Sequence, residues 1–254
     1  MIDTGAAIDR RGIRSEVLLV LGVSLGSSAI YAILNIINRL TYVKPLSEQT
    51  ATLNPTVVAD RPWLDLLYQL AGIGLGVVPA LLAVHLLRKS HEDLAVGLDL
   101  RRPGRDLLFG VGMAALIGLP GLGLVWAARQ LGISAQIVPE ALGTHWWSVP
   151  VLILSAVENG VLEEVVMIAY LLTRLRDLGW GWWTTVVTSA VIRGSYHLYQ
   201  GFGGFIGNFV MGLVFGWFFR RTQRVMPLII AHSILDIVSF VGYALLKDHL
   251  GFLR

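Results

Sequence analysis

The sequence predicts an all-α protein: a polytopic bundle of transmembrane helices, about seven of them, with the N-terminus in the cytoplasm. Three observations carry this. Of the 254 residues, 55% are hydrophobic and 15% charged, against about 25% charged in an ordinary soluble domain. Apolar runs recur along the whole chain and reach the ~20 residues that a helix needs to cross a bilayer. Lys and Arg gather in the short segments between those runs, which is how membrane proteins set their orientation. No long polar block remains for a soluble domain, so residues 1–254 read as one integral membrane domain.

Taken in order, Met1 to Glu16 is polar and the first apolar run lasts from Val17 to Leu40. That is longer than a signal-peptide core, and no small-residue cleavage pattern closes it, so it reads as a retained helix. Spans are expected at 17–39, 65–87, 107–128, 147–173, 180–200, 204–219 and 225–246. Gly72, Gly74, Gly76 and Leu119-Pro120-Gly121 fall inside them, as is common in membrane helices. The segment from Thr41 to Arg61, with Pro45 and Pro55, reads as an exterior loop. Ser90 to Asp106, which includes Leu98 to Arg105, reads as a solvated cytoplasmic connector. Trp146, Trp147, Trp182, Trp183 and Trp217 stand near span ends, where interfacial aromatics collect.

Charge tests the topology. With seven spans, Arg10, Arg11, Arg14, Arg88, Lys89, Arg101, Arg102, Arg105, Arg174, Arg176, Arg220, Arg221 and Arg224 fall on one side, thirteen cations in all. Arg39, Lys44, Arg61, Arg129, Lys247 and Arg254, six cations, fall on the other. The richer side should be cytoplasmic, which makes the expected location a multi-pass position in the cell membrane, plasma or inner. The net charge of +3 is explained by this pattern and implies no nucleic acid; the partners it implies are lipids. Cysteine is absent, which excludes disulfides and thiolate metal sites.

Arg193 is the remaining cation, and it lies within a span. A charge at the bilayer centre costs roughly 2.5–3.5 kcal/mol on insertion scales, so polar residues there need a reason. The first three spans offer Asn35 and His85. The last four hold Glu158, Glu163, Glu164, Arg193, His197, Asn208, His232 and Asp236. His232 and Asp236, four apart, share a helix face, as do Arg193 and His197. Glu163 and Glu164 are adjacent and diverge by about 100°, so one can face a site and the other a neighbouring helix. A carboxylate and two imidazoles from three helices can handle water. A Glu in a low-dielectric site serves as general base, and a His orients the water or donates to an oxyanion. Two His with one or two Glu also leave open a divalent metal such as zinc, although no His-Glu-x-x-His helix is present. Two other readings compete: interhelical hydrogen bonding alone, and a proton or ion pathway. The apolar first three spans argue against the latter.

These residues, in this order, resemble the CPBP family, which comprises CAAX-type prenyl-protein endopeptidases and bacteriocin-processing or abortive-infection-type proteins grouped as intramembrane metalloproteases. The family pattern is a Glu-Glu motif with an Arg four residues after the second Glu, then Phe-x-x-x-His, then His-x-x-x-Asn/Asp. The chain has Glu163-Glu164, Arg193-Gly194-Ser195-Tyr196-His197, and His232-Ser233-Ile234-Leu235-Asp236. The Gly-Asn-x-x-x-Gly stretch from Gly207 to Gly212 and Met226-Pro227 are also similar. The likeness covers about 150–245, and residues 147–246 would form the core carrying the polar site.

What the resemblance implies is a hydrolase: an endopeptidase acting on a membrane-associated peptide or protein. Glu163 and His197 would activate the water, His232 and Asp236 would bind the substrate carbonyl and its oxyanion, and Glu164 would support the site, with Arg193 and Asn208 assisting. Ile168 stands where the family has Arg, and Arg193 where it has Phe. A buried Arg needs a carboxylate, so Arg193 is expected to pair with Glu164 or Glu158, the cation having moved to the neighbouring helix. Alternatively, the swaps mark a non-catalytic relative, an immunity-type or accessory scaffold subunit of a membrane complex.

Overall fold

The computed structural model describes residues 10–90, 97–143 and 145–246. Lys247 and Arg254 of the cation tally, and residues 91–96 of the expected connector, lie outside them. Helix dominates, as expected for an apolar chain that must satisfy its backbone within each segment. Four helical stretches are long and apolar enough to cross a membrane: Pro62–Ser90, Pro103–Gln130, Phe202–Thr222 and Met226–Leu245. The pair α1 (Arg10–Gly22) and α2 (Leu25–Leu40) makes a fifth if counted as one span bent by 55°.

The run expected as one straight helix at 17–39 is thus broken. The buried Ser24 hydroxyl donates to the Val20 carbonyl at 2.5 Å, a bond that competes with the helical ladder and bends it. The next stretch is divided into α3 (Pro62–Gly76) and α4 (Val78–Ser90). It breaks at Val77, ahead of Pro79, which has no N–H to give to the preceding turn. By contrast, α5 (Pro103–Gln130) runs through Pro120 without interruption.

The all-α expectation holds except for one small sheet. β1 (Thr50–Thr52) and β2 (Gln136–Val138) pair in parallel, Ala51 opposite Ile137. They come from the loop after α2 and the loop after α5, whose backbone groups satisfy one another. The connector expected to be solvated is also pinned. Arg224 bonds Asp106 at 2.6 Å and Asp99 at 3.3 Å, while Leu98 packs on the core.

The axis of the molecule is a continuous helix from 148 to 177, built of α6 (Ser148–Glu163), a π-helical stretch (Glu164–Tyr170) and α7 (Leu171–Asp177). Every residue from Glu164 to Tyr170 is buried. The expected span at 180–200 is α8 (Trp182–Tyr196), followed by a 3-10 turn at Leu198–Gln200. α9 (Phe202–Thr222) and α10 (Met226–Leu246) complete the chain. α10 lies along α6 and α5, and α8 lies between α9 and α2. Close approach depends on glycine, as is usual between membrane helices. A Cβ at Gly160 of α6 would stand 2.6 Å from Ser233 Oγ of α10, and one at Gly212 of α9 would stand 2.9 Å from Ala190 Cα of α8.

Candidate active site

Four segments meet at one polar cluster. α6 ends at Glu163 and the π stretch opens with Glu164. α8 supplies Arg193 and Tyr196, His197 follows at its C-terminal cap, and α10 supplies His232 and Asp236. The wide turn of a π-helix is a recurrent feature of functional sites. Here it begins at the carboxylate pair.

The two carboxylates face different partners, as their offset requires. Glu163 Oε2 accepts a hydrogen bond from the Tyr196 hydroxyl at 2.7 Å and stands 3.8 Å from His197 Nε2. Glu164 Oε1 lies 2.6 Å from Arg193 Nη2 and 2.7 Å from His232 Nδ1. Arg193 Nη2 is also 3.9 Å from Glu163 Oε2. The expected pairing of Arg193 with Glu164 is therefore present, with both side chains at 0% exposure. A lone charge at that depth would cost several kcal/mol, which a hydrogen-bonded ion pair offsets. On the far side, His232 Nε2 approaches Asp236 Oδ2 at 3.7 Å, and Asn159 Nδ2 donates to the same oxygen at 3.4 Å.

The cluster is not saturated. Glu164 Oε2, Arg193 Nε and Nη1, and His197 Nε2 are buried without a hydrogen-bond partner. Buried polar atoms are nearly always matched. These four unmatched atoms lie around one carboxylate pair. The donor set does not suit a metal. Among the described residues no three His, Asp or Glu side chains converge as a cage. Arg193 already gives the carboxylate pair its cation. The divalent metal left open by the sequence finds no cage, and no step below runs through one.

Residues 145–238 match the family model for type II CAAX prenyl endopeptidase, Rce1-like. No curated protein and no solved structure matches the chain. The Rce1-like segment holds all three motifs, and its limits fall within the stretch that resembles the CPBP family, apart from a few residues at its start. It therefore links that stretch to a family of membrane endopeptidases.

Of the residues expected in the site, Glu163, Glu164, Arg193, His197, His232 and Asp236 lie together. Asn208 also falls in the Rce1-like segment, but its hydrogen bond goes to the Gly204 carbonyl of its own helix at 3.0 Å. Two contributors were not foreseen. Asn159 is four residues before Glu163, so its shared helix face was a readable signal. Tyr196 had a weaker one, three residues after Arg193 and beside His197.

Proposed function

We propose that this chain is an intramembrane endopeptidase that hydrolyses a peptide bond of a membrane-associated substrate through a water activated by Glu163. The observation that carries the reading is the setting of Glu163. One carboxylate oxygen is held by Tyr196 at 2.7 Å, and an unmatched His197 Nε2 faces it at 3.8 Å. That separation is too long for a direct bond and suits a water between the two.

The chemistry follows from the positions. Glu163 takes a proton as the water oxygen attacks the substrate carbonyl carbon. The carbonyl oxygen gains charge, and the nearby cationic and imidazole groups, Arg193 and His232, stabilise it electrostatically. The C–N bond then breaks, and the proton held by Glu163 passes to the leaving nitrogen. Glu164 anchors Arg193 and His232, and Asp236 flanks the second ring nitrogen of His232. Prenylation is a property in the family's description; no feature of this chain selects a prenyl group.

The test is hydrolysis by the full-length chain in vesicles. Glu163→Gln and His197→Ala are expected to lower kcat by ~10²–10⁴-fold, the usual worth of general acid–base groups. Unchanged hydrolysis in folded Glu163→Gln would overturn the assignment of Glu163 as the base, whereas a folded wild type that hydrolyses no membrane-associated peptide would leave a non-catalytic subunit of a membrane complex, of the immunity or accessory type.

We also propose seven crossings of the cell membrane, plasma or inner, with the N-terminus cytoplasmic. The cation asymmetry supports this. So does the stacking of Arg176 on Trp182, Arg220 on Trp183 and Arg221 on Trp217, which gathers interfacial aromatics at the cation-rich end. Because cysteine is absent, single cysteines report the sidedness. Thr52→Cys should label from outside intact cells and Thr222→Cys should not; the reverse result would invert the topology.

A further inference from the structure

We propose that Gln200 is a positioning residue that holds the His197 ring with its proton on Nε2, the nitrogen that faces Glu163. The inference rests on the endopeptidase reading and assigns His197 its role there. A ring so held is a hydrogen-bond donor to the water or the developing oxyanion, and Glu163 is the base.

Three observations place Gln200. Its side chain is buried at 8% exposure, where an amide needs partners. Its Nε2 lies 3.3 Å from His197 Nδ1 and donates to the Tyr199 hydroxyl at 3.0 Å. With the amide in this orientation its nitrogen only donates, so Nδ1 of a neutral ring accepts and the ring proton sits on Nε2. The opposite orientation of the amide would leave Nε2 and the Glu163 carboxylate as two acceptors at 3.8 Å, which only a water donating to both could join, whereas a proton on Nε2 lets the ring donate to a water that gives its own proton to Glu163. In a histidine, the hydrogen bond made by one nitrogen sets the protonation of the other.

The backbone holds Gln200 as firmly as the side-chain contacts do. The Ala135 N–H donates to the Gln200 carbonyl at 3.0 Å, and the Phe202 N–H donates to the Ile133 carbonyl at 2.8 Å. Between them Gly201 takes φ +103°, and a Cβ there would stand 2.7 Å from Ile133 O and Ser134 Cα. Only glycine fits this crossing. The segment leading into β2 thereby clasps the turn that carries His197 and Gln200. The loop after α5, outside the three motifs, thus reaches the site through one amide.

Nitrogen-15 NMR of histidine-labelled full-length chain tests this, with His197→Ala identifying the signal, at a pH where the ring is neutral. The wild type is expected to show a bare Nδ1 and a protonated Nε2. Gln200→Met should release the ring to a mixture of tautomers, and Gln200→Glu should move the proton to Nδ1. In hydrolysis, Gln200→Met should lower kcat about tenfold with KM unchanged, less than loss of the imidazole itself. A wild-type ring protonated on Nδ1, or a spectrum that Gln200→Met leaves unaltered, would overturn the proposal. The wild-type spectrum decides even if the variants fail to fold. Loss of the endopeptidase reading through a wild type that hydrolyses no membrane-associated peptide is a separate result, because the tautomer is read without turnover.

Discussion

Arg174 and Arg193 are both buried in the helix bundle, at 1% and 0% exposure, yet they are treated differently. Arg174 is satisfied on every side. Its Nε bonds Glu16 at 2.7 Å and Nη1 meets Asp177 at 3.3 Å. Nη2 donates to the Leu86 carbonyl and to Ser90, and Tyr170 bonds Glu16 as well. This knot ties α1, α4 and α7 at one end of the bundle. Arg193 makes one hydrogen bond, to Glu164, and leaves Nε and Nη1 without partners. A cation that serves only the fold has its donors matched, because each unmatched one costs ~1–3 kcal/mol. Where the donors stay unmatched, the endopeptidase reading supplies a guest to match them. The contrast separates Arg174, whose donors the fold consumes, from Arg193, whose free donors the proposed site would use, although its guanidinium also lies over the Phe215 ring at 5.6 Å.

The contrast is sharpest in what each loss should do. Arg193→Met leaves Glu164 with His232 as its one polar partner among the described residues and is expected to abolish hydrolysis while destabilising the chain by ~3–5 kcal/mol, the usual cost of breaking a buried pair. Arg193→Lys should not restore the rate, since an ammonium lacks the planar fork. Arg174→Met should cost about 3 kcal/mol, toward the lower end because Glu16 is partly exposed. Its folded fraction should keep normal specific activity. Thermal melts paired with activity per folded molecule separate the two, and equal loss of specific activity in both variants would break the comparison.

A smaller effect is expected at Tyr196→Phe, which removes the hydroxyl bonded to Glu163. A hydrogen bond to a charged group is worth ~1.5–3 kcal/mol of stability, so the melting temperature should fall by several degrees, and the rate per folded molecule should fall as the carboxylate loses the hydroxyl that holds it. The smallest effect concerns the clasp of Asp99 and Asp106 on Arg224, which belongs to the structural class with Arg174. The Arg101 N–H and then Arg224 hold the Asp99 carboxyl below its usual 3.8. The stabilisation is thus complete above that value and fades as pH falls through the lower folded one. Asp99→Asn should melt below the wild type above pH 3.8 and converge with it in acid as the wild-type carboxyl is protonated; a variant as stable as the wild type above that pH would show that the clasp contributes nothing.

Much of this was legible in the residues. Glu163, Glu164, Arg193, His197, His232 and Asp236 stand out because a charge inside an apolar run is costly wherever it points, and that cost is a property of the residue and its neighbours in sequence. The pairing of Arg193 with Glu164 was legible for the same reason. The 55° bend at Ser24 was not, because a serine at that position either back-bonds or faces outward according to what packs beside it. Nor was the β1–β2 pair, whose two three-residue strands are 83 residues apart. Gln200 looks like an ordinary polar residue at a helix end until Ala135 and Gly201 fix its place.

The sequence by itself determined the membrane class, the run of apolar helices, and which side chains had to find polar company. It could do so because transfer energies depend on residue type and local run length. Tertiary structure decided which carboxylate faces Arg193 and which faces Tyr196, which imidazole nitrogen stays free, and which arginine is left with donors unmatched. Those outcomes depend on how far each helix is rotated about its axis. That rotation shows only once the helices are packed, as they are where Gly160 and Gly212 let neighbours come close.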